Sequence, residues 1–158
     1  MKTWQYLVGG IVVVGLAIQL VPHELPAVES NNPADLIGSG VVDGEVANLL
    51  KTACYDCHSN ETKYPWYSQV APVSWLVGKD TREGREELNF STWQEYDMME
   101  KLKKLDDLVI EVKEGEMPMK IYTLIHTEAR LSDAQRQQLV EWAETMMDIV
   151  AEEEDGEE

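Results

Sequence analysis

Cys54-Tyr55-Asp56-Cys57-His58 is the stretch on which the reading of this chain turns, and it holds both of the protein's cysteines. A single C-x-x-C-H has the spacing of a c-type haem attachment site. Two thiols three residues apart can form thioethers to the two vinyl groups along one haem edge. The adjacent histidine then lies under the iron, where an imidazole nitrogen is a suitable proximal ligand. Two other uses of the motif fit less well. A thioredoxin-like redox site would sit in a βαβ pattern, which the sequence lacks. A structural zinc site needs four ligands, and there is no second cysteine pair.

N-terminal to the motif, Asp43 can cap a first helix whose Val46, Leu49, Leu50 and Ala53 fall on one apolar face. That helix runs directly into Cys54 and would hold both thiols against a haem edge. On the other side, Ser59 to Phe90 is irregular and rich in Tyr64, Pro65, Trp66, Tyr67, Pro72 and Trp75. A short helix is expected near Val73 to Val77. The bulky rings could wall a haem pocket or pack as ordinary core.

Further along, Ser91 with Gln94 forms a capping-box pattern that predicts a helix reaching about Lys113. Trp93, Tyr96, Met99, Leu102, Leu105, Val109 and Val112 keep helical spacing along it. Gly115-Glu116-Met117-Pro118 ends it. Ser132 with Gln135 makes a second box, opening a last helix that carries Leu139, Val140, Trp142, Ala143, Met146 and Val150. No useful strand alternation and no repeat occurs, so the fold class is all-α.

Haem on His58 leaves a second axial position, for which Met117, Met119 and His126 are the available donors. Met117 leads, because Gly115 and Pro118 impose a non-helical loop that can lay its side chain over a flat ligand. A neutral thioether favours ferrous iron and raises the potential. Met119 shares the loop but is expected to point elsewhere. His126 would give a bis-His iron, or else serve as a cap or hydrogen-bonding group before the last helix.

The N-terminus bears on compartment. Leu7 to Ile18 is an unbroken aliphatic and glycine run, and Trp4 to Val21 as a helix would span about 27 Å, close to a bilayer core. A cleaved signal peptide competes with an uncleaved anchor, but no A-x-A cleavage site follows. Lys2 is the one charged residue before Pro22 and orients the N-terminus to the cytoplasm. The expected organisation is an anchor (or signal peptide) over 1–21, an extended linker over 22–42, a haem-binding domain over 43–151 and an acidic disordered tail over 152–158. The linker would lift the domain off the inner membrane, on its periplasmic side.

Charge narrows the partners. Thirteen Lys and Arg oppose 30 Asp and Glu, a formal net charge of −17. Such a surface repels nucleic acid and anionic lipid and would steer a basic redox partner.

The ordered stretches Ala53–Asn60, Tyr64–Tyr67, Ala71–Trp75, Leu88–Ser91, Gly115–Pro118 and His126–Ala129 resemble the small bacterial haem-binding domain family, over about Leu36 to Val150. The order of helix, attachment motif, methionine loop and C-terminal helix is also similar to class I cytochromes c. The resemblance implies one haem c, thioethers at Cys54 and Cys57, His58 proximal and Met117 distal. Thr127 departs from the family's usual proline, which bears on the stiffness of that loop. Expected of such a chain is single-electron transfer rather than an enzymatic reaction. Alternatives are a haem sensor or peroxidase-like enzyme with an open or labile distal site, or a non-catalytic subunit that stations a haem in a larger complex.

Overall fold

The computed structural model describes residues 2–155, and among them there is no strand. Helix α1 (Lys2–Ala17) continues into a 3-10 turn, Ile18–Leu20. Together Thr3–Leu20 are long and apolar enough to cross a membrane, with mean hydropathy 1.5 and no residue buried against the rest of the protein.

Segment 22–42 has no regular helix, as expected, but it is not a free linker. It lies along the domain as a strap. The Arg82 and Arg85 guanidinium groups donate to the Glu24 and Ala27 carbonyls at 3.2 and 2.8 Å, and the Tyr64 hydroxyl donates to the Pro26 carbonyl at 2.9 Å. The Glu29 N–H adds a bond to the Asn60 carbonyl. Backbone carbonyls that an extended segment leaves unpaired are thus satisfied by domain side chains. The strap's far end is core: Leu36 is fully buried, and Asp35 accepts the Ile37 and Gly38 N–H groups.

Helix α2 (Gly44–Ala53) begins where expected. The Asp43 carboxylate accepts the N–H groups of Glu45 and Val46, both at 2.9 Å, and Val46, Leu49, Leu50 and Ala53 are buried. One residue later α3 (Tyr55–His58) carries the motif as a single turn.

Two helix assignments change. The short helix expected near Val73 to Val77 is instead α4 (Val73–Glu87), fifteen residues long. Its Gly78 and Gly84 are poor helix formers, each costing about 1 kcal/mol against alanine, and they mask the pattern. Both are sites of close approach. A Cβ at Gly78 would sit 2.7 Å from the Glu24 carbonyl oxygen, and one at Gly84 would sit 2.9 Å from that of Cys57. The helix expected to open at Ser91 opens instead at Asp97, as α5 (Met98–Glu114), with a reciprocal Asp97–Glu100 capping box. Ser91 and Gln94 lie in a 3-10 segment, Phe90–Glu95, and the Ser91 hydroxyl accepts the Asn60 N–H rather than capping a helix. Leu105, Val109 and Val112 are buried as the spacing required, whereas Met99 is exposed.

Gly115, at φ +76°, ends α5 in the left-handed conformation that glycine adopts without strain. A short helix, α6 (Lys120–Ile125), follows the methionine loop. The Ser132–Gln135 box then opens α7 (Asp133–Asp155): the Ser132 N–H reaches the Gln135 carboxamide oxygen at 2.9 Å, and the Gln135 N–H reaches the Ser132 hydroxyl at 3.3 Å. This helix extends into the segment expected as a disordered tail, and residues 156–158 lie outside the described residues. Against α5 it buries Leu139, Val140, Ala143 and Met146, in a core that continues through Leu49, Leu50, Phe90 and Trp93.

Candidate functional site: a cavity over the C-x-x-C-H turn

The motif is held on three sides. Tyr55 stacks on Phe90 with ring centroids 5.2 Å apart, and its hydroxyl donates to the buried Asp35 carboxylate. Burial and the Asp35 charge both push the Tyr55 phenol above its usual range, so it stays a donor. Asp56 accepts the Lys63 N–H through one oxygen and the Tyr122 hydroxyl of α6 through the other, at 3.1 and 2.8 Å. After the motif, Asn60 is tied to Ser91 and to the Asn89 carboxamide. These bonds fasten the end of the motif to the Leu88–Ser91 stretch, so two of the stretches quoted for the resemblance meet beside His58.

His58 is oriented by that meeting. Its Nδ1 lies 3.0 Å from the Leu88 carbonyl oxygen. A carbonyl can only accept, so Nδ1 carries the proton and Nε2 keeps its lone pair. A metal-ligating histidine is held in this way by a partner on its other nitrogen. Burial pushes the His58 pKa below the ordinary imidazole value, against the opposing pull of the Leu88 carbonyl, so the ring is neutral near pH 7.

Cys54, Cys57 and His58 line a cavity of about 730 Å3, and Met117 and Met119 line it as well. Its size falls within the roughly 300–1,000 Å3 usual for cofactor and ligand sites. α4 contributes Asp80 and Gly84, α5 contributes Leu108 and Ile110, and Phe90 supplies an aromatic ring. Acids such as Glu83, Glu87, Asp107 and Glu111 surround a single ammonium, Lys104, which donates to the Glu87 carbonyl at 2.7 Å.

Both cysteines are free thiols. Burial pushes Cys54 up to about 12, helped by Cys57; burial, Asp56 and Asp80 push Cys57 up to about 11. The site therefore disfavours thiolate and accepts neutral sulfur, as a thioether is. Among the described residues no group of three or more His, Cys, Asp or Glu is placed to hold a metal ion by itself. Neutral sulfurs, one imidazole with a free Nε2, methionine thioethers and an apolar-walled cavity form a donor set that fits haem.

The sequence-derived candidates separate as follows. Cys54, Cys57, His58 and Met117 all face one cavity. Met119, expected to point elsewhere, lines it too, and also lines a smaller neighbouring cavity. His126 lies in that second space. Tyr67 bonds its Nε2, Glu128 meets its Nδ1 at 3.3 Å, and Tyr122 stacks on its ring at 4.3 Å. It is the hydrogen-bonding residue of the turn before α7 and does not border the large cavity. The aromatic segment does not wall the large cavity either: Tyr64 and Tyr67 line the smaller one, and Trp66 is 80 % exposed.

Three contributors went unseen in the sequence. Asp56 occupies one of the two unspecified positions of C-x-x-C-H. Gly84 sat in a segment taken as irregular. Arg136 of α7 donates through one guanidinium nitrogen to the carbonyls of Val112 and Met117, at 3.0 and 2.8 Å, and so fixes the methionine loop. None of the three carries a local signal: Gly84 lies far from the motif in sequence and meets Cys57 only in the fold.

An all-helical domain that brings a histidine, two cysteines and two methionines to one cavity has the donors a haem-binding protein needs. Residues 13–145 match the family model described as a haem-binding domain, and the chain belongs to that family. No curated protein and no solved structure matches the chain.

Proposed function

We propose that this haem-binding protein is a membrane-anchored, monohaem c-type cytochrome that transfers single electrons in the periplasm. The observation that carries the reading is the convergence of Cys54, Cys57, His58 and Met117 on one cavity, with His58 Nε2 left free by the Leu88 carbonyl. Cys54 and Cys57 would be the thioether positions, His58 the proximal ligand and Met117 the distal one. When bound, haem supplies a one-electron iron couple.

The chain's own residues do the remainder. Leu108, Ile110 and Val112 of α5 give a bound haem an apolar wall, and Arg136 limits movement of the methionine loop. That restraint favours low reorganisation, which suits electron transfer. The order of α2, motif, methionine loop and α7 agrees with the class I cytochrome c arrangement. The acidic surface suits a basic redox partner through steering. The 3-10 turn that continues α1 is built into the fold by two Gln19 hydrogen bonds to Ala71, which favours an uncleaved anchor. A sensor or peroxidase-like reading needs a distal group such as His126 or Arg130. Both are engaged elsewhere, Arg130 with the Thr123 carbonyl.

The test is the reduced absorption spectrum of the full chain, matured with haem in detergent, with and without carbon monoxide. A low-spin c-type spectrum unmoved by carbon monoxide is expected, and Met117→Ala should make it shift. Prompt binding by the unmutated protein would favour the sensor or enzyme reading. A shift with Met119→Ala but not Met117→Ala would reassign the distal ligand. Haem that resists acid-acetone extraction from the Cys54→Ala/Cys57→Ala double variant would overturn covalent attachment.

A further inference from the structure

Helix α6 is six residues long, and it spends its largest aliphatic side chains on solvent. Ile121, Leu124 and Ile125 lie at i, i+3 and i+4, one face of a helix, and all are exposed, Leu124 at 71 %. Tyr122 meanwhile turns inward to Asp56. Ile121 and Ile125 share the smaller cavity with Val73 and Leu76, the exposed apolar residues of the first turn of α4. Trp66 stands in the adjoining turn, beside Pro65 and Tyr67 of the same groove. Aliphatic surface drawn from two helices and a turn into one continuous face marks an interaction site rather than scattered surface residues.

The position of this face relative to α1 selects its occupant. Gln19 is the penultimate residue of the apolar stretch Thr3–Leu20. Its carboxamide oxygen accepts the Ala71 N–H and its nitrogen donates to the Ala71 carbonyl, both at 3.0 Å. Ala71 immediately precedes Pro72 and α4, and its neighbour Val70 is also exposed. The apolar face therefore begins at the residue to which the end of the span is clamped. The strap bonds to Glu24, Pro26 and Ala27 keep the domain from swinging away on a loose tether. An exposed tryptophan among aliphatic residues, at the level where a span ends, has the composition of a membrane–water interface.

We infer that the α4–α6 face, with Trp66 at its edge, rests on the bilayer surface that α1 enters. The inference rests on the reading of α1 as a membrane anchor. The occupant is a zwitterionic lipid surface, since a chain of net charge −17 is repelled by anionic headgroups. Because Cys57, Met119 and Tyr122 line both the smaller cavity and the large one, this pose turns that edge of the haem site toward the membrane.

The experiment uses the full-length haem-loaded protein in phosphatidylcholine vesicles containing phosphatidylcholine with a diazirine near the headgroup end of one acyl chain. After photolysis, adducts are located by mass spectrometry. Adducts are expected on α1, on Ile121 to Ile125 and on Trp66, several-fold above those on the exposed Glu141 and Asp148 of α7. The Leu124→Glu/Ile125→Glu variant, altered only at exposed positions, should lose the α6 and Trp66 adducts while keeping those on α1 and its haem spectrum. Adducts on α1 alone would overturn the surface contact, leave the anchor standing and point to a protein occupant. Adducts spread equally over α6 and α7 would overturn it as non-specific. Absence of adducts on α1 would remove the anchor reading and the contact together.

Discussion

The α5–α7 half of the domain and the half built from α3, α4 and the methionine loop are made of the same kind of element but closed in different ways. In the first, Leu105, Val109 and Val112 meet Leu139, Val140, Ala143 and Met146, and side chain fills the space between the helices. In the second, the helices stand around a cavity of about 730 Å3, joined at their edges by bonds to backbone carbonyls. One half is complete as polypeptide; the other leaves a space that a bound haem would fill. The difference shows where stability resides and where function can vary without unfolding the chain.

The comparison predicts unequal responses to substitution. The largest effect belongs to the closed half. Leu139→Ala removes a fully buried side chain and should lower unfolding stability by about 3 kcal/mol, measured by denaturant titration, with the haem spectrum of the remaining folded protein unchanged. A loss of under 1 kcal/mol would mean that the α5–α7 seam is not the scaffold. Next comes Gly84→Ala on the open half. The new Cβ would lie within 3.2 Å of the Cys57 carbonyl carbon and Cβ as well as 2.9 Å from its oxygen. These atoms have no flexible end to move aside, so α4 must part from the motif, at a cost of about 1–3 kcal/mol. The yield of haem-loaded protein should fall further than stability does. Gly44→Ala, in the first turn of α2 and with a Cβ that would meet nothing within 4 Å, is the control and should lower neither stability nor haem-loaded yield. Equal behaviour of the two variants would show that α4 and α3 are not in register as described.

The same division governs what could be read from the chain. The closed half announces itself through side-chain chemistry. The apolar spacing of Leu139 to Val150, the Ser132–Gln135 box and the Gly115 stop are local patterns with local causes. The C-x-x-C-H stretch stands out because two thiols and an imidazole at that spacing have few other uses. The open half is joined through backbone carbonyls: that of Leu88 orients His58, that of Cys57 excludes a side chain at Gly84, and those of Glu24 and Ala27 hold the strap. Every residue has a carbonyl, so such acceptors leave no signature in composition or spacing. The sequence pattern therefore predicts five residues of α4 where there are fifteen, and an extended linker where the strap is bonded to the domain. Ser91 misled for a related reason, since its hydroxyl could cap a helix or serve Asn60, and the choice depends on a contact 31 residues away.

The smallest predicted effect tests whether the open half carries charge it would fold better without. Asp80 borders both cavities, and burial holds its carboxyl above the ordinary carboxylate range, with Lys79 only partly opposing it. A raised pKa means that the folded chain binds this proton more tightly than the unfolded one. The contribution of Asp80 to stability is thus fully present below the unfolded value of 3.8 and is lost as pH rises through the folded value. Asp80→Asn should therefore stabilise the haem-free protein at pH 7, by no more than about 0.5 kcal/mol given the solvent that still reaches the group, and the gain should vanish near pH 3. Parallel denaturant titrations of both proteins at the two pH values measure it. A loss of stability at pH 7 would show that the carboxylate makes a favourable contact in the open half, and that this half is more nearly closed than its cavity suggests.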